Sequence, residues 1–259
     1  MTETIGPWDA VASFALVAVV IALSLWRRLD LERDVLWASV RAGAQLLIVG
    51  VVFTAIFNSD LAMVWAWLWI AAMLLVSGWV VTRRASDVPN LFPTAIAAMT
   101  LTAAIVLGVV FGLQILELTP VAAVVISGIT IGNTMPSVVL GANRMLSTLR
   151  ESVGQFEALL ALGSDRDAAT LHFEQTVIRT ALLPQIERTK VVGIIALPGA
   201  MTGLLLAGVD PIEAIILQLV VMFLVLGAVA TSVVIVTRTI AKRSLTADLR
   251  IADWVIEPR

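Results

Sequence analysis

Apolar runs nearly free of charge recur seven times along the chain, near residues 10–26, 35–57, 61–81, 91–116, 119–142, 191–208 and 212–237. Each reaches or approaches the roughly 20 residues that a helix needs to cross about 30 Å of hydrocarbon. The runs are continuous and do not alternate with polar positions, so they predict helices and not barrel strands. Between the fifth and sixth runs lies the one large polar segment, 143–190. There Met145, Leu149, Val153, Phe156 and Leu160 fall at three- and four-residue spacing, which predicts an amphipathic helix. Gly163 supplies a stop. Ser164 followed by Asp167 reads as a capping box that opens a second helix towards Pro184. The expected architecture is all-α: a polytopic membrane protein of seven transmembrane helices, with a helix–turn–helix elbow between spans five and six.

Basic residues orient these spans. The N-terminal tail has none, the next connection has Arg27, Arg28 and Arg33, and the following one has none. Arg83 and Arg84 come next, then a connection without Lys or Arg, then Arg144, Arg150, Arg166, Arg179, Arg188 and Lys190 on the elbow. The link after the sixth run has no basic residue, and the tail carries Arg238, Lys242, Arg243, Arg250 and Arg259. The alternation predicts an N-terminus outside, and both the elbow and the C-terminus in the cytoplasm. The first run follows Glu3 and Asp9 without a positive leader, so it reads as a retained span. The 1–259 chain is then a single transmembrane domain, with 143–190 as its cytoplasmic part. Trp26, Trp37, Trp65, Trp67 and Trp69 lie near span ends, where indole rings anchor to membrane lipids.

Composition agrees and removes several chemistries. Hydrophobic residues make up 59% of the 259 and charged residues 14%, and mean hydropathy is +0.99. The chain has no Cys and a single His, His172, which excludes disulfides, thiolate metal sites and multi-histidine centres. Its only lysines, Lys190 and Lys242, do not complete a phosphate-binding loop. ATP and its magnesium, if they drive this protein, are bound by another polypeptide. No catalytic residue and no cofactor of the chain's own is expected, and no nucleic-acid partner.

Polar and helix-breaking residues within the runs are candidate functional positions, because they are costly in lipid. Asn133 and Thr134 lie near the middle of the fifth, where an amide faces protein or a wet pathway. Interhelical hydrogen bonding accounts for them equally well. Pro198-Gly199 predicts a kink or break in the sixth, with Met201, Thr202 and Gly203 one turn on. Gln45, one turn after Arg41, marks a protein-facing stripe on the second. Met135 and Met201 are weak candidates for a soft metal site; thioethers more often fill packing gaps. Gly108/Gly112, Gly128/Gly132 and Gly199/Gly203 have the small-xxx-small spacing of closely packed or dimerising helices. The spans hold no paired carboxylates, which argues against a proton-coupled antiporter.

The segment Glu157-Ala158-Leu159-Leu160-Ala161-Leu162-Gly163 resembles the coupling motif of ABC permeases. More specifically, the chain is similar to the bacterial iron-export ABC permease family, whose plant relatives are membrane subunits linked to aluminium tolerance. The matching stretches are Gly128-Ile129-Thr130-Ile131-Gly132-Asn133-Thr134-Met135, the coupling segment, and Leu197-Pro198-Gly199-Ala200-Met201-Thr202-Gly203. Ala207-Gly208-Val209-Asp210-Pro211, Gln218 with Met222-Phe223, and Arg41 with Gln45-Leu46 extend the match over most of the chain. Two positions depart from the pattern: Leu204 stands where Gln is expected, and Leu217 where Tyr is. The resemblance implies a permease of the bacterial inner membrane that exports iron or another metal. It implies two copies working with a separate cytosolic ATPase, docked on Glu157, Ala158, Leu160, Gly163 and Ser164. A cavity near Gln45, Asn133, Thr134, Met135, Pro198, Met201 and Thr202 would then switch between faces. An organic substrate such as a nucleotide sugar, and an ATPase-independent secondary transporter or channel, are the alternatives.

Overall fold

The computed structural model describes residues 7–193, 197–246, 248 and 250–256, with side chains from Phe14 onward. All regular elements among these are helices. Five are long and apolar enough to cross a membrane, and Phe14–Arg27 adds a shorter apolar stretch. The chain forms two compact units, Met1–Ala62 and Met63–Arg259.

The first unit is a hairpin of α1 (Pro7–Arg27) and α2 (Glu32–Phe57). Arg28 and Asp30 adopt left-handed backbone to reverse the chain. Buried Ser24 closes the turn: its hydroxyl donates to Glu32 Oε1 at 2.8 Å and accepts from the Leu31 amide at 3.1 Å.

The second unit comprises α3 (Ala62–Arg84, entered from the hairpin's last residue), α4 (Leu91–Gly112), α5 (Pro120–Glu151), α6 (Val153–Ala161), α7 (Arg166–Val191), α8 (Gly199–Leu206), α9 (Pro211–Arg243) and α10 (Asp253–Ile256). The two longest helices begin alike. Thr119 accepts from the Ala122 amide ahead of Pro120, and Asp210 accepts from the Ile212 amide ahead of Pro211. In both, a side-chain cap precedes a proline whose missing N–H has no role in the first turn.

Helix directions follow from near neighbours. A Cβ on Gly141 of α5 would lie 3.3 Å from Thr237 Oγ1 and 3.5 Å from Val233 Cγ1 on α9, and 3.6 Å from Ala181 Cβ on α7. Eight residues earlier, Asn133 faces Arg188, seven residues later on α7. α7 therefore runs back antiparallel to α5, and α9 runs parallel to it. The elbow end of the bundle is the end that carries α6.

The structure redraws the polar segment and the sixth run. α5 does not stop at the end of its apolar run but continues in one helix through Glu151, so the expected amphipathic helix is its extension plus the separate α6. Gly163 does turn the chain, with φ at +88°. The cap of the next helix is Asp165, whose Oδ1 accepts from the Ala168 amide at 2.7 Å, one residue beyond the expected Ser164. α7 passes through Pro184 to Val191. Stretch 191–208 is not one continuous helix: Val192 is extended, Gly193 has φ at +92°, and α8 starts only at Gly199. Pro198 has no N–H for a ladder bond, which accounts for helix restarting immediately after it.

Candidate functional site

A cavity of about 350 Å³ opens where α5, α7, α8 and α9 meet. Ile129, Val221, Met222 and Val225 form its apolar side. Its polar side brings together Asn133, Gln185, Arg188, Thr189 and Gln218, with Pro198, Gly199 and Ala200 at the start of α8. Asn133 lies thirteen residues into α5, about 20 Å along its axis at 1.5 Å per residue.

The polar groups are unevenly paired. Asn133 Nδ2 donates to the Ile129 carbonyl at 2.8 Å, and Arg188 Nη1 donates to Asn133 Oδ1 at 3.4 Å. Thr189 donates back to the Gln185 carbonyl at 2.9 Å. Gln185 is 8% exposed, and its carboxamide makes no hydrogen bond to any described residue. Gln218 Oε1 is buried without a partner. No Asp or Glu lines the cavity, and among the described residues no carboxylate is within ion-pair distance of Arg188. Two of the surrounding helices each lose one ladder bond nearby without being broken, because Pro136 in α5 and Pro184 in α7 have no N–H for the carbonyl four residues back.

Of the residues expected to line a pathway, the cavity gathers Asn133 and Pro198. Thr134 is buried and donates to the Thr130 carbonyl at 2.7 Å. Met135 packs against the apolar cluster of the elbow end. Met201 and Thr202 are half-buried on α8, with the Thr202 hydroxyl donating to the Pro198 carbonyl. Gln45 is exposed on α2 in the first unit. Among the described residues no group of three or more His, Asp or Glu side chains is placed to hold a metal ion. The glycines differ in use. A Cβ on Gly128 would come within 3.3 Å of Met73 Cε, while Gly132, Gly199 and Gly203 face open space. Sequence reasoning missed Gln185, Arg188 and Thr189, and counted Arg188 among the cytoplasmic charges of the elbow. A signal was available, since Gln185, Arg188 and Thr189 fall at three- and four-residue spacing on the helix after Pro184.

The elbow is built differently. α6 is pinned by Phe156, fully buried, whose ring meets Phe173 of α7 at 5.7 Å. Met145, Leu149, Val177, Ile240, Ile251 and Val255 belong to the same cluster. On the opposite face Glu157 and Ala158 are exposed, Leu160 is partly buried against the cluster, and Gly163 is exposed beside half-buried Ser164. Leu162, at the tip, is 85% exposed. His172 is exposed, its ring edge-on to Phe173. Arg150 ties the base together: Nε donates to the Val255 carbonyl at 2.8 Å, and Nη1 pairs with Asp87 at 3.2 Å.

Comparison with known proteins places this architecture. Residues 7–245 match the family described as Uncharacterised protein family (UPF0014). The UPF0014 membrane protein STAR2 of Oryza sativa subsp. japonica is 36% identical over 239 residues, covering 90% of this chain and 81% of that protein. The probable iron export permease protein FetB of Escherichia coli (strain K12) is 34% identical over 220 residues, 85% of each chain. Protein ALUMINUM SENSITIVE 3 of Arabidopsis thaliana is 30% identical over 223 residues, 85% of this chain and 81% of its own length. No solved structure matches the chain. With five membrane-length apolar helices and relatives of this extent, the chain is an integral membrane protein that belongs to the UPF0014 family.

Proposed function

We propose that the chain is the membrane subunit of an ABC transporter that exports iron or another metal from a bacterial cytoplasm across the inner membrane. Two copies work with two copies of a cytosolic ATPase, which binds the ATP and magnesium. The observation that carries this reading is the elbow. α6 is locked to α5 and α7 through Phe156, while Glu157, Ala158 and Leu162 are presented outward. A force applied to that face is delivered to the helices that form the cavity, because α5 and α7 continue from the elbow to Asn133 and Arg188 without a flexible linker. The relative named as an iron export permease supports the choice of cargo and direction.

On this reading the chain crosses the membrane seven times, with the N-terminus outside and the C-terminus in the cytoplasm. The sixth crossing is made by the distal half of α7 together with α8. Arg188 and Lys190 then leave the inner charge count, but Arg144, Arg150, Arg166 and Arg179 keep that side basic, so the alternation stands.

The test is ATP-driven iron uptake into inside-out vesicles that hold the chain and its ATPase. Glu157→Arg and Gly163→Val should lower uptake roughly tenfold or more, with the same amount of chain in the membrane. Uptake that needs no ATPase, or elbow variants that match wild type, would contradict the assignment.

A further inference from the structure

The cavity contains a permanent positive charge and nothing on its walls to balance it. Arginine does not lose its proton in proteins, and Arg188 is exposed, so its charge is open to whatever enters the cavity. Its one hydrogen bond to a side chain, to Asn133 Oδ1, is long at 3.4 Å, at the weak end for a charge-assisted bond. Most of the guanidinium fork is therefore free to face the cavity. A bare divalent cation would meet this charge with no carboxylate, His or Cys to hold it.

Independent features of the walls have the same preference. Gln185 as a residue is more than nine-tenths buried, its carboxamide makes no hydrogen bond to a described residue, and Gln218 Oε1 is buried without a partner. Gly199 and Ala200 present the first turn of α8, whose N-cap, Pro198, makes no side-chain cap hydrogen bond. The free amides there point the positive end of the helix at the same space. A volume of 350 Å³ suits a small organic ion, at the lower end of the roughly 300–1,000 Å³ typical of ligand pockets.

From this we infer that the cavity is an anion site: Arg188, with Gln185, Gln218 and the start of α8, receives a carboxylate or phosphate oxygen of the ligand. This deepens the export reading and rests on it in one respect. If iron is the cargo, it enters this cavity as an anionic complex with a small hydroxycarboxylate, not as the bare ion. A free organic anion offers the same oxygen chemistry, so the test separates the two sources.

The full chain in lipid nanodiscs is assayed for equilibrium binding of three radiolabelled probes: ferric citrate, citrate alone, and ferrous ion kept reduced with ascorbate. Ferric citrate should bind. Arg188→Gln should weaken it roughly tenfold to hundredfold, as loss of a charged hydrogen-bond partner does, and Arg188→Lys should restore part of the loss. Inorganic phosphate should compete on the wild-type chain. If Arg188→Gln does not fold, Gln185→Leu and the phosphate competition carry the test, with severalfold weaker binding expected. Citrate alone binding with the same Arg188 dependence, and no gain from iron, would uphold the anion site and remove metal from the function. Ferrous ion binding without either citrate form would overturn the anion site and leave metal export standing. Retention of ferric citrate unchanged in Arg188→Gln, or of no anionic probe at all, would also overturn it.

Discussion

The two ends of the second unit are packed to different standards. At the elbow end, α3 to α7, α9 and α10 share one cluster with Phe156, Leu91, Met99, Met145 and Leu149 at most 2% exposed. Arg150, Arg166 and Arg243 stitch that end to backbone carbonyls of Val255, Thr246 and Asn90. Around the cavity, α8 has no buried residue at all, whereas buried polar atoms without partners occur at both ends, Gln218 Oε1 by the cavity and Arg150 Nη2 at the elbow. Dense packing of large side chains resists rearrangement, whereas a segment with few buried apolar contacts opens cheaply. The elbow end is suited to move as a body, and the cavity end to change shape.

If that contrast is right, its strongest disruption lies at Phe156. Phe156→Ala removes a fully buried ring from the hinge of α5, α6 and α7. A loss of about 3–5 kcal/mol is expected, read as a large fall in the unfolding midpoint in detergent. A smaller effect is expected midway along the bundle. Thr102 on α4 and Ser232 on α9 share a buried hydrogen bond of 2.7 Å. Thr102→Val should cost about 1 kcal/mol, measured by the same unfolding assay, because each hydroxyl can also turn back to its own helix. Equal losses from the two substitutions would blur the distinction between the ends.

How much of this was legible in the sequence depends on what each helix faces. α2 to α5 and α9 are apolar over membrane length, so their hydropathy alone marked them. Gly163 and Pro198 were visible because a reversed backbone and a missing N–H are properties of single residues. α7 was not visible as a bundle helix. It packs against both α5 and α9, and a helix shielded by neighbours need not be apolar all round, so Gln185, Arg188 and Lys190 made its second half read as part of the cytoplasmic elbow. Arg188 was counted among the elbow charges for that reason, although it lines the cavity. The tail hid its role in the same way. Ile251 and Val255 are buried in the elbow-end cluster, but the tail is too short to give a periodic signal. Ser164 and Asp165 are both good caps, and local sequence does not choose between them.

The most direct test of a stiff elbow driving an adjustable cavity uses the chain's lack of cysteine, since spin labels then attach only where thiols are introduced. One pair at Gln155 on α6 and Gln175 on α7 spans the elbow end. A second at Gly132 on α5 and Gly203 on α8 spans the cavity end; all four positions are exposed. Distances are measured with the ATPase bound, nucleotide-free and then trapped with nucleotide. The account predicts an unchanged distribution for the elbow pair and a shifted one for the cavity pair. A cavity pair that stays fixed while the elbow pair moves would contradict it.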